Sequence, residues 1–155
     1  QQNALQDAEI TSIKADLTTL IGKYNKKSVT LEEDVNGLNI SFDGYKAKKG
    51  LIEIVIPANV QANNIIYVGK NTWSWANYVA FFYGMPATST TERRYGSRFT
   101  CENGYSDFTS ALHTSNYYSS IWSGDSRNIS PTDFLTGIGL SGKLFANTTV
   151  NIYYI

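Results

Sequence analysis

The first two dozen residues constrain this chain more than any other stretch. Asn3, Gln6, Ile10, Ile13, Leu17, Leu20 and Tyr24 recur at alternating steps of three and four, the spacing that gathers apolar side chains into one seam of a helix. A helix of this length is marginal alone in water, so its stability has to come from a partner surface. Isoleucine at both seam positions of one heptad moves the preference from two strands toward three or four. The seam therefore predicts a parallel three-stranded coiled coil over residues 1–25, and a homotrimer with Ile10, Ile13, Leu17, Leu20 and Tyr24 at its axis. Glu9 and Lys14 stand at the g and e positions that meet between neighbouring strands, a contact of ~0.5 kcal/mol that sets register more than stability. Asn3 and Gln6 weaken the seam but select one register. Thr11, Ser12, Ala15, Thr18 and Thr19 cover the rest of the helix, leaving a narrow apolar stripe that favours a coiled coil over the alternative, an amphipathic helix packed on the chain's own domain. Three heptads are short for a fibre and the chain opens with Gln1, so the rest of a longer fibrous chain is expected upstream.

Beyond the helix the period changes. Gly22 weakens the helix, Asn25 suits a C-terminal cap, and Lys23, Lys26 and Lys27 suit the negative end of the dipole. A separate domain is expected over 26–155. Leu38, Ile40 and Phe42 alternate with Asn39 and Ser41; after a turn at Lys48-Lys49-Gly50, Ile52, Ile54 and Ile56 alternate with Leu51, Glu53 and Val55 up to Pro57. This alternation reads as two strands of a β-hairpin. Ile65 to Val68 and Tyr78 to Tyr83 are short strands closed by glycine or proline. Gly139 to Phe145 and Thr148 to Tyr154 read as a second hairpin across Ala146-Asn147. Between Ala87 and Ser130 the periodicity fades into long loops around one or two strands, near Tyr95 to Thr100 and Tyr117 to Trp122, with a short helical turn expected at Ser130-Pro131. Eight or so short strands with long connections predict a mainly β domain, an antiparallel sandwich of jelly-roll type.

Composition narrows the function. Thirteen basic and thirteen acidic residues cancel, which leaves no electrostatic footprint for nucleic acid. Lys46, Lys48 and Lys49 form one local excess, read as the solvated end of a hairpin. Cys101 is the sole cysteine, so an internal disulfide framework and a cysteine-ligated zinc site are excluded. No apolar run is long enough to cross a membrane, and no membrane insertion is expected. Charged residues at 17% and aromatics at 14% fit an all-β surface protein better than a helical enzyme.

Motifs for chemistry fail on context. Gly137 to Lys143 reads G-I-G-L-S-G-K and fits the spacing of a phosphate-binding loop, but Leu144 stands where a hydroxyl is needed for magnesium and a strand follows in place of a helix. Gly124-Asp125-Ser126 resembles a hydrolase nucleophile block, yet the single histidine, His113, precedes it. Glu92, Glu102, Asp107, Asp125 and Asp133 lie in the loop-rich half without the spacing that would single out a glycosidase pair. Glu102-Asn103-Gly104 with Asp107 is a weak candidate for calcium. No catalytic residue, metal or cofactor is assigned.

What remains is aromatic. Trp73, Trp75 and Tyr78 precede a strand; Tyr117, Tyr118 and Trp122 lie near Asp125 and Arg127. Sugar rings present apolar C–H faces and hydroxyl edges, so saccharide sites combine flat aromatics with a few polar groups. On that chemistry the candidate ligand-binding residues are Trp73, Trp75, Arg94, Asn116, Tyr117, Tyr118, Trp122, Asp125 and Arg127. The competing reading places these rings in the core or in a threefold interface.

A short trimeric coil running into a β tip resembles the C-terminal part of bacteriophage tail fibres and receptor-binding proteins. The likeness is carried by the seam Ile10, Ile13, Leu17 and Leu20, by the stretch from Tyr45 to Ile54 read as a hairpin, and by the strand from Thr148 to Ile155. It is one of architecture and assigns no binding residue. The resemblance implies a homotrimeric tip on the virion surface that adheres to host cell-surface polysaccharide, without enzymatic activity. A capsid-decorating fibre or trimerising end piece with no specific ligand, and a polysaccharide depolymerase, are the alternatives.

Overall fold

The structure, a computed structural model, describes residues 2–21, 23–102, 105–110, 120–123 and 134–155; for 2, 16–21, 102, 105–110 and 120–123 it describes the backbone alone. Helix α1 spans Gln2–Ile21. All of its described side chains, Asn3 to Ala15, are exposed, with Ile10 at 50% and Ile13 at 65%. The seam is thus not packed against the chain's own strands along that length. Strand β1, Asn25–Thr30, begins where Asn25 pairs with Tyr154, and this ladder draws Tyr24 out of the helix. Tyr24 therefore does not continue the seam, contrary to the heptad reading.

Nine more strands follow among the described residues: β2 Val35–Ser41, β3 Lys49–Ile56, β4 Ile65–Lys70, β5 Tyr78–Tyr83, β6 Arg93–Glu102, β7 Tyr105–Ser110, β8 Ser120–Ser123, β9 Gly137–Leu144 and β10 Thr149–Tyr154. They form two five-stranded antiparallel sheets, a first of order β1-β10-β3-β6-β7 and a second of order β2-β9-β4-β5-β8. The chain moves back and forth between the sheets in the manner of a jelly roll, so the expected fold class holds.

Both expected hairpins are corrected. β2 pairs with β9 while β3 pairs with β10 and β6, so the two strands lie in different sheets. The segment between them crosses one end of the sandwich: the Phe42 amide donates to the Thr136 carbonyl at 2.9 Å, and Ala47 bridges Leu135. Likewise β9 and β10 lie in opposite sheets. Their link is tied down by the Ala146 amide donating to Asp34 Oδ1 at 2.9 Å and the Asn147 amide donating to the Leu31 carbonyl at 2.8 Å. Alternation specifies which face of a strand is buried and leaves its neighbour open. Strand β7, Tyr105–Ser110, lies where the fading periodicity predicts loop. The helical turn expected at Ser130-Pro131 lies outside the described residues, and the glycine-rich run 137–143 is strand β9.

The core is the set of inward rows. Ile52, Ile54, Val150 and Ile152 of the first sheet and Ile40, Val68, Ile138 and Leu140 of the second are buried. Phe82 meets Tyr95 edge-on across the layers at 5.4 Å, and Phe42 stacks on Tyr154 at 4.0 Å where the chain crosses between sheets. Arg93 is also buried, on the inward row of β6. Its guanidinium donates to the carbonyls of Val60 and Pro86, joining the β3–β4 and β5–β6 loops, which are further tied by the Asn59 amide to the Ser89 carbonyl at 2.8 Å. Burial pushes the Arg93 pKa down, a shift opposed by Tyr95. The buried Tyr95 hydroxyl has no hydrogen-bond partner among the described residues.

Two substitutions separate these contributions. Arg93→Ala orphans two carbonyls and is expected to lower unfolding free energy by about 2–4 kcal/mol in urea denaturation, with Arg93→Lys failing to restore it because an ammonium lacks the two-armed fork. Tyr95→Phe deletes a hydroxyl that has no partner among the described residues and is expected to leave stability unchanged or raise it by about 1 kcal/mol.

Candidate functional site

The outward face of the second sheet holds a cluster of rings. On β4, Ile66 and Val68 point inward, so Tyr67 points out. Its register partner on β5 is Phe81, and that of Phe81 on β8 is Trp122. An irregularity between Val68 and Gly69 then brings Tyr78 opposite Gly69, so that Phe81 and Tyr78 share the outward face. Tyr67 is the hub: it meets Trp73 at 5.8 Å, Trp75 at 5.3 Å, Tyr78 at 5.8 Å and Phe81 at 6.2 Å. Trp73 and Trp75 meet edge to face at 5.2 Å. Such pairs each contribute about 0.5–1.5 kcal/mol beyond burial, enough to hold the rings in one arrangement.

The two tryptophans come from the link between β4 and β5, and glycine decides where that link lies. Gly69 and Gly139 are register partners on the outward face. A Cβ on Gly139 would come within 2.0 Å of the Trp73 nitrogen, and one on Gly69 within 2.9 Å of the Thr72 carbonyl. With no side chains there, residues 72 and 73 lie directly on the sheet. The Trp73 amide then donates to Asn39 Oδ1 at 2.9 Å, the Asn71 amide to the Gly137 carbonyl at 3.0 Å, and Asn77 Nδ2 to the Thr72 carbonyl at 3.3 Å. The 3-10 turn Trp75–Asn77 closes the link. The result is a shelf with Trp75 at its edge, 70% exposed.

Its chemistry is apolar with neutral polar edges. The central outward rungs, Asn39–Gly139–Gly69–Tyr78 and Ser141–Tyr67–Phe81, carry no carboxylate and no cation. Burial first, and Tyr67 second, push the Tyr78 pKa up, so its hydroxyl is a protonated donor at neutral pH. Among the described residues no three His, Cys, Asp or Glu side chains gather as metal ligands.

The structure unites only part of the residues nominated from sequence. Trp73 and Trp75 share the shelf, and Trp122 is placed by its backbone in the neighbouring strand, in register with Phe81. Arg94 does not join them. It lies on the outward face of the first sheet, where it bonds Glu53 at 3.4 Å and Glu92 at 3.1 Å. Asn116, Tyr117, Tyr118, Asp125 and Arg127 lie outside the described residues. Tyr67 and Phe81 fall outside the residues nominated from sequence, because Ile65 to Val68 and Tyr78 to Tyr83 are unbroken apolar runs in which no alternation marks an outward ring.

No family model matches the sequence, and no curated protein matches it. Among solved structures the chain is similar to Xenopus laevis galectin-Ib, at 10% identity over 74% of this chain and 98% of that one, TM-score 0.39. It is similar to Caenorhabditis elegans galectin LEC-6, at 11% identity over 81% of this chain and 97% of that one, TM-score 0.38. It also resembles Aspergillus awamori exo-inulinase, at 7% identity over 84% of this chain and 29% of that one, TM-score 0.38. At these identities and scores no functional residue passes from them to this chain.

The glycine floor is open to direct test. Gly139→Ala is expected to lift residues 72 and 73 off the sheet, lower unfolding free energy by about 2–4 kcal/mol and red-shift the tryptophan emission as Trp73 moves into water.

Proposed function

We propose that this chain is a non-enzymatic adhesion module, the tip of a trimeric phage fibre that holds a neutral saccharide of the host surface on the shelf around Tyr67. The observation that carries the reading is the exposed, braced Trp75. A large ring left in water on a rigid sheet is unfavourable in isolation, and such a ring beside others marks a contact surface. Trp75, Trp73 and Tyr78 offer faces for the C–H side of a sugar, while the Tyr78 hydroxyl and Ser141 offer edges for its hydroxyls. Among the described residues the shelf presents no facing carboxylates of a glycosidase pair. A shallow site of this kind binds weakly, and three copies on one stalk supply avidity.

The stalk is the second half of the proposal. Ile10 and Ile13 are exposed on α1, and a parallel trimer covers them together with Leu17 and Leu20. Light scattering of the native chain is expected to give about three times the 17.2 kDa chain mass, and Ile10→Asp with Ile13→Asp to give a folded monomer. A monomeric parent would overturn the stalk.

On an array of neutral and acidic cell-surface glycans, Trp75→Ala is expected to weaken binding of a neutral glycan at least about tenfold, with the trimer intact and little change between low and high salt. Binding unchanged in Trp75→Ala would move the site elsewhere. A parent that binds no glycan and no host cell would favour the purely structural fibre.

A further inference from the structure

The opposite face of the sandwich carries a concave surface of different chemistry. A cleft of about 700 Å³ opens on the outward side of the first sheet, lined by Tyr24, Lys26, Lys49, Leu51, Arg98 and Tyr153. The registers explain the grouping. Lys26, Tyr153, Leu51 and Arg98 form one rung across β1, β10, β3 and β6, and Lys49 stands beside Thr100 on the next. Gly50, between Lys49 and Leu51, is packed so tightly on Phe99 that a Cβ there would lie 2.7 Å from the ring, which keeps the floor closed beneath the cleft.

Three cations thus surround a floor of leucine and tyrosine. Lys26 Nζ sits 5.2 Å from the centre of the Tyr153 ring, and Tyr24 is half exposed at the rim. Elsewhere on the surface Lys27, Arg94 and Lys143 each lie against a carboxylate, whereas Lys26, Lys49 and Arg98 have no ion-pair partner among the described residues. The acid one rung along, Glu53, is already held by Asn151 Nδ2 at 3.0 Å and by Arg94. Asp107 stands one strand beyond, opposite Thr100. In a chain with no net charge, this is a local positive field in a concave site of the size that takes a small ligand.

We infer that this cleft binds an acidic saccharide, with a carboxylate or sulfate between Lys26, Lys49 and Arg98 and the sugar ring against Tyr153. The assignment is independent of the shelf, whose central rungs carry no ionised side chain. Titration calorimetry of the full chain in low salt with tetragalacturonate, with its methyl ester as the neutral twin and with a heparin tetrasaccharide, tests it.

The parent is expected to bind at least one of the two acidic probes, and which one distinguishes carboxylate from sulfate. The methyl ester is expected to bind at least tenfold more weakly than the acid if the carboxylate is read. The combined variant Lys26→Gln, Lys49→Gln, Arg98→Gln is expected to weaken acidic-probe binding at least tenfold, while Lys143→Gln and Trp75→Ala leave it within twofold. Failure of both acidic probes, equal binding by the combined variant, or loss of the same binding in Trp75→Ala would each overturn the assignment. Because Trp75→Ala is also the variant that silences the shelf, failure of either site is read separately from the other.

Discussion

Everything in this molecule rests on the burial of two inward rows of branched and aromatic side chains against each other. Ile52, Ile54, Val150 and Ile152 face Ile40, Val68, Ile138 and Leu140, and neither sheet has another cover for that surface among the described residues. Burying a side chain of this kind contributes about 1.5–3 kcal/mol, and only a sum of many such terms offsets the conformational entropy of ten ordered strands. The consequence is that both outward faces are released from structural duty. Rings and charges found there are not needed to close the core.

The two outward faces are then built by different local devices. On the second sheet the device is subtraction. Gly69 and Gly139 remove two side chains, a link of the chain settles into the space, and Asn39 fixes its backbone, so tryptophans from a loop acquire the rigidity of a sheet. On the first sheet the device is alternation alone, which sets Lys26, Tyr153, Leu51 and Arg98 side by side from four strands distant in sequence. One face is aromatic and neutral, the other cationic with an apolar floor. The two faces offer a ligand quite different physics.

The candidate site was legible in part. Trp73 and Trp75 stood out because large rings close together before a strand are conspicuous in a sequence rich in small polar residues. Tyr67 did not, although it is the ring that all the others touch, because one tyrosine in a strand of branched residues looks like core until its neighbours are known to point inward. Arg94 was grouped with the aromatics by its place in the loop-rich half of the chain. Its strand lies in the other sheet, and proximity in sequence carries no information about that.

By itself the sequence determined the periods: three and four along α1, two along β2, β3 and β10, and with them which side chains of those strands face inward. Those follow from the geometry of single elements, which a few neighbouring residues settle. It also determined the neutral overall charge. Tertiary structure alone decided which strand lies beside which. A hairpin of β2 with β3 and a crossover between sheets bury the same alternate residues, so the pattern cannot choose between them. The choice falls to contacts far apart in the chain, such as Phe42 on Tyr154 and Ala47 beside Leu135, and those same distant pairings assemble both the shelf and the cationic cleft.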